Sequence, residues 1–69
     1  MNNDSKKRQW LIDARHAANR TQADVAQSAG IKQRYYSAIE NGDRGSCMPA
    51  RVAKGIAKTL GLDWQKFYE

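Results

Sequence analysis

The sequence predicts an all-α fold: five short helices forming one domain over residues 1–69, with residues 1–3 expected to be disordered. Two observations carry that expectation. Apolar residues recur at three- and four-residue spacing in successive windows, and none of the windows reads as a strand. Helix punctuation, at Thr21, Gly30, Asn41-Gly42, Pro49 and Gly61, falls between those windows. Chain size agrees. A chain of 69 residues buries little surface, and a small helical bundle closes such a core without disulfides or metals.

Staples are absent in any case. Cys47 is the single cysteine and His16 the single histidine, so neither an internal disulfide nor a tetrahedral metal set can be built from them. The carboxylates are scattered and no glycine-rich phosphate loop is present. No catalytic residue, metal or cofactor is therefore expected, and the chain is not read as an enzyme. No apolar run approaches the roughly 20 residues of a membrane span. The basic cluster near the start is not followed by an apolar stretch of signal-peptide length. The expectation is a soluble, cytoplasmic protein.

Twelve Lys and Arg stand against seven Asp and Glu, giving a net charge of +5 and a pI near 9.7. That balance favours an anionic partner, of which nucleic acid is the commonest for an intracellular chain. Charge alone does not decide the matter, since small domains are also basic for solubility.

Taken in order, Asp4 or Ser5 is positioned to cap a first helix running to about Asn19, with Trp10, Leu11, Ala14, Ala17 and Ala18 as its apolar stripe. Lys6, Lys7 and Arg8 would occupy its first turn, where cations oppose the helix dipole. Two readings stay open for them: a solvated basic end, or a flank facing phosphates. Thr21 opens the second helix in a capping box with Asp24. Val25, Ala26 and Ala29 face inward, and Gly30 supplies the left-handed geometry of a C-terminal cap.

A third helix follows over Gln33 to Glu40. Ile31, Tyr36 and Ile39 point inward, leaving Gln33, Arg34, Ser37, Ala38 and Asn41 as an outward stripe without a carboxylate. Residues 43–48 read as a loop. Pro49 suits the first turn of the fourth helix, whose inward stripe is Ala53, Ile56, Ala57 and Leu60. Gly55 inside it costs roughly 1 kcal/mol relative to Ala. Asp63 caps a short fifth helix from Trp64 to about Tyr68, with Leu62, Trp64 and Phe67 closing the core.

Two helices joined by a three- or four-residue turn containing Gly describe a helix-turn-helix. The third helix has the short polar side chains that base edges require. At eight residues it is roughly 12 Å long, which suits a major groove of similar width.

The run TQADVAQSAGIKQRYYSAIENG, with the later Ile56-Ala57-Lys58-Thr59-Leu60-Gly61, resembles the Cro and lambdoid-repressor helix-turn-helix proteins, the Xre family. The resemblance covers about residues 8 to 68 and implies a compact five-helix lambda-repressor-like domain with the motif in helices 2 and 3. It also implies roles. Lys32, Gln33, Arg34, Ser37 and Ala38 match positions that read bases or nearby phosphates. Gln33 suits the N6 and N7 of adenine, Arg34 the O6 and N7 of guanine, and Ala38 a thymine methyl.

Gln22 resembles a glutamine that binds a phosphate at a helix N-terminus. Asn41, Arg44 and Arg51 lie where the loop and the start of the fourth helix approach phosphates, and Tyr35 either stacks, bonds a phosphate or packs. Arg15 and Glu40 stand where the family has an ion pair between helices 1 and 3. The chain departs from the family pattern at Lys32, which replaces a Ser or Thr cap, at Tyr36, which replaces Ile or Val, and in the loop before Pro49.

The function expected is sequence-specific binding of double-stranded DNA by a transcriptional regulator, a repressor of phage or mobile-element type. Helix 33–40 would lie in the major groove of a two-fold symmetric operator. A weak homodimer, built from the fifth helix and the preceding loop and completed on DNA, is expected, with no small-molecule effector. The alternative is a protein-interaction or antitoxin-like module on the same fold, using Trp64, Phe67 and Tyr68 as a docking patch.

Overall fold

The local signals around Thr21 and Gly30 set the frame of the molecule. Thr21 Oγ1 accepts the Asp24 N–H at 3.1 Å, and Asp24 Oδ2 accepts the Thr21 N–H at 3.1 Å. This reciprocal pair opens the second helix. Gly30 closes it at φ 74°, where the N–H groups of Gly30 and Ile31 donate to the Gln27 and Ala26 carbonyls. The computed structural model describes residues 7–42 and 48–68. Within them lie α1 (Gln9–Ala17), α2 (Gln22–Ala29), α3 (Gln33–Glu40), α4 (Ala50–Leu60) and a 3-10 segment (Trp64–Tyr68), with no strand among the described residues.

The all-α expectation holds, but the count of five helices is corrected to four α-helices among the described residues. The last element spans five residues and is a 3-10 segment. Asp63 opens it by accepting the Gln65 N–H on its side chain and the Lys66 N–H on its carbonyl, an i to i+3 pattern. So short a piece cannot develop the i to i+4 ladder.

The first helix also differs. It starts at Gln9, so Lys7 and Arg8 precede it instead of filling its first turn. Asp4, Ser5 and Lys6 lie outside the described residues, as do Arg44 and Cys47. It ends at Ala17 because Asn19 adopts φ 60° and Arg20 N–H donates to the Arg15 carbonyl at 3.1 Å. Asn is one of the few side chains that tolerate this geometry, and here it takes the part usually given to glycine. Ala17 and Ala18, expected in the inward stripe, are exposed on that ending turn.

The core is Leu11 from α1, Val25 and Ala26 from α2, Tyr36 and Ile39 from α3, Val52, Ala53, Ile56 and Ala57 from α4, with Met48 and Phe67. Leu60, Leu62 and Trp64 pack against its edge, half-buried. Pro49 stands just before α4 as its N-cap, not within its first turn. Helix α2 packs on both α3 and α4, α4 on the 3-10 segment, and α1 on α3. Close approach of α2 and α4 runs through Gly55: a Cβ there would lie 3.4 Å from the Ala29 backbone. No helix among the described residues is long and apolar enough to cross a membrane, and no group of metal-ligating side chains occurs among them.

Candidate nucleic-acid interface

Three residues, Gly30, Ile31 and Lys32, join α2 to α3. Ile31 tucks against the core while Lys32 stays exposed, so the turn delivers α3 with one face on the domain and one face outward. On the outward face Gln33, Arg34 and Asn41 are exposed and Ser37 and Ala38 are half-buried. Lys32, Arg34, Tyr35 and Ala38 come together around a cleft of about 240 Å³. Tyr35 also packs against the core edge. Gln33 and Ser37 share the face without lining the cleft, and Arg51 lies apart from it, exposed in the first turn of α4.

No acid side chain of α3 reaches this face. Glu40, its one carboxylate, is 2% exposed. Arg15 Nε donates to Glu40 Oε2 at 2.6 Å, and Gln22 Nε2 donates to Glu40 Oε1 at 2.9 Å. The carboxylate therefore joins α1, α2 and α3 at one point. Burial by itself would raise the Glu40 carboxyl, but hydrogen bonds from Arg15 and Gln22 outweigh it and hold the group below the usual carboxylate range. The same contact raises Arg15 above the ordinary guanidinium value.

Gln22, expected to hold a phosphate, has one amide hydrogen engaged with Glu40, which leaves its second amide hydrogen for an outside acceptor. Tyr36, adjacent in the core, is 0% exposed, and its hydroxyl neither reaches the surface nor completes a hydrogen bond among the described residues. Burial, then the neighbouring Glu40 charge, pushes that phenol well above its ordinary value.

Arg8 carries a correction. A simple solvated basic end does not describe it, since it is half-buried and its guanidinium Nη1 donates to the Ile39 carbonyl, the end of α3. Nothing local signals this contact, because the partner lies 31 residues away. The docking patch of Trp64, Phe67 and Tyr68 is also not a unit. Phe67 is buried, Trp64 lies beneath the Lys54 ammonium at 4.9 Å, and Tyr68 remains 42% exposed with its hydroxyl donating to the Met48 carbonyl.

Comparison with known proteins agrees with this geometry. The sequence profile of the helix-turn-helix family matches residues 11–67, a span that takes in the whole of α2, the turn and α3. A Bacillus subtilis (strain 168) protein named as an uncharacterized HTH-type transcriptional regulator, YqaF, is 42% identical over 62 residues. That alignment covers 90% of this chain and 79% of the relative. No solved structure matches the chain. With a capped α2, a three-residue turn and an outward-facing α3 inside the matched span, the chain belongs to the Xre family of helix-turn-helix transcriptional regulators.

Proposed function

We propose that this protein is a sequence-specific, double-stranded DNA-binding transcriptional regulator of the repressor type, from a phage or mobile element, acting in the cytoplasm. Its α3 lies in the major groove. Lys32, Gln33, Arg34, Ser37 and Ala38 read base edges, and Gln22, Tyr35, Asn41, Arg44 and Arg51 hold phosphates. The single observation that carries this reading is the outward face of α3. It presents an amide and a guanidinium to solvent, while the helix's only acid is buried and neutralised. A carboxylate on that face would repel the phosphate walls of the groove; its removal inward leaves a face matched to base edges.

Binding is by a weak homodimer completed on DNA, to half-sites about one helical turn apart. No effector is needed in this scheme; operator occupancy follows protein concentration. Selection of bound duplexes from a random pool tests the proposal. A two-fold symmetric enriched site is the expected result. A pool that stays random through successive rounds would sink it and favour the interaction-module alternative, for which exposed Tyr68 offers the starting point.

A further inference from the structure

Helix α3 has few side-chain caps of its own, although the Gly42 N–H donates to the Ile39 carbonyl at 3.1 Å and the Asn41 N–H to the Ser37 carbonyl at 3.0 Å. Lys32 makes no side-chain cap bond at its N-terminus, no basic residue stands in its last turn, and Asn41 ends it in a right-handed conformation. Eight residues are too few to be stable alone, so its pose is set by what the domain supplies. At the C-terminal end that supply comes from Arg8. The Arg8 backbone N–H donates to the Glu40 carbonyl at 2.8 Å, and its Nη1 donates to the Ile39 carbonyl. One residue thus closes the Glu40 carbonyl and adds a charged donor to the Ile39 carbonyl, which also accepts the Gly42 N–H, with a cation at the negative end of the dipole.

Arg8 is itself held in place. Its guanidinium carbon lies 5.8 Å from the centroid of the Phe67 ring, and Phe67 is buried with Trp10 edge-on at 5.1 Å. Burial lowers its pKa, as expected for a guanidinium drawn off the surface. The end of α3 is therefore gripped twice, by Arg15 through the Glu40 side chain and by Arg8 through the main chain. Gln33 and Arg34 stand at the opposite end of a rod roughly 12 Å long. A small tilt at the gripped end is carried to the residues that would meet the bases.

From this we infer that Arg8 is a positioning residue for the reading face: it sets the pose of α3, and with it base discrimination, without touching DNA. The inference rests on the proposed reading of bases by α3. Its test uses the full chain with Arg8→Ala and Arg8→Lys, and compares affinity for the duplex selected by the unaltered protein with affinity for a scrambled duplex. The ratio of the two is expected to fall by about tenfold in Arg8→Ala, the scale of one charge-assisted hydrogen bond. Arg8→Lys, which keeps a charged donor, should restore most of it.

The salt slope on scrambled DNA should stay unchanged in Arg8→Ala, and amide exchange over residues 37–42 in the absence of DNA should speed up. Where Arg8→Ala does not fold cooperatively, Arg8→Gln replaces it, with the same ordering expected. An unchanged ratio in a folded variant overturns the inference. So does an equal loss on both duplexes with a shallower salt slope, which would make Arg8 a phosphate contact. If the unaltered protein enriches no duplex, the DNA reading itself fails and the positioning role falls with it, an outcome distinct from the first two.

Discussion

Glu40 is the residue on which stability and reading face meet. Its side chain is nearly inaccessible and that of Arg15 is only 12% exposed, so removing Glu40 leaves a charged, part-buried guanidinium with the Arg20 carbonyl as its remaining acceptor. Glu40→Ala is expected to cost about 3–5 kcal/mol, seen as a large drop in Tm; an unchanged melting curve would mean that the pair contributes nothing. Acid adds a second reading. The Glu40 carboxyl titrates lower in the folded protein than the roughly 4.3 of an unfolded chain. The unfolded state thus takes up the proton first, and the contribution present above about pH 4.3 is lost as pH falls through the folded value. Tm plotted against pH should fall more steeply on its acid side in the native protein than in Glu40→Gln, and parallel curves would refute this. Arg34 belongs to the other face. Arg34→Ala should cost about 1–3 kcal/mol on the preferred duplex and relax one base position. An equal loss on random DNA would make it a phosphate contact.

At the level of elements, the helices differ in how much of them the sequence displays. Helix α2 was legible throughout, because both its capping box and its glycine stop are written in adjacent residues. The bounds of α3 were equally legible, since Asn41-Gly42 and the two-residue approach after Gly30 mark them. The end of α1 was not, because an Asn in the left-handed region looks like any polar residue until its φ is known. Val52 was passed over in α4, where the apolar stripe is wider than the four residues that spacing picks out. Arg8 could not be placed at all, its partners being distant in sequence. Gly55 shows what structure adds to a propensity argument. Its missing side chain looks like a pure cost, yet it lies against Ala29 of α2. A methyl there would sit 3.4 Å from Ala29, ordinary contact, so Gly55→Ala is expected to stabilise by up to about 1 kcal/mol. Gly55→Val should destabilise, because its added methyls have no such room. A fall in Tm for the alanine variant would show that the two helices cannot yield even slightly.

For the whole molecule, a net charge of +5 is too coarse a description of how it would meet DNA. Several cations have partners within the domain: Arg15 and Arg8, part-buried, on Glu40 and the end of α3, and Lys54 and Lys66, exposed, with their ammonium groups over the Trp64 and Trp10 rings. Lys32, Arg34 and Arg51 are exposed and form no ion pair among the described residues. If association depends on positioned contacts, these groups differ in their effect on salt dependence even though each carries the same charge. The logarithm of affinity should fall with the logarithm of salt by roughly 0.9 for each phosphate neutralised. Arg51→Ala is therefore expected to make the slope shallower by about 0.9 per protomer and to weaken selected and random duplexes alike. Lys54→Ala, which removes the same formal charge from the same helix, should leave the slope unchanged, because Lys54 is assigned no phosphate and its exposed ammonium rests over Trp64. Titrations of both variants at several salt concentrations separate the cases. Equal flattening in the two would mean that the overall field attracts DNA without regard to which cation supplies it, and the assignment of Arg51 to a phosphate would fail.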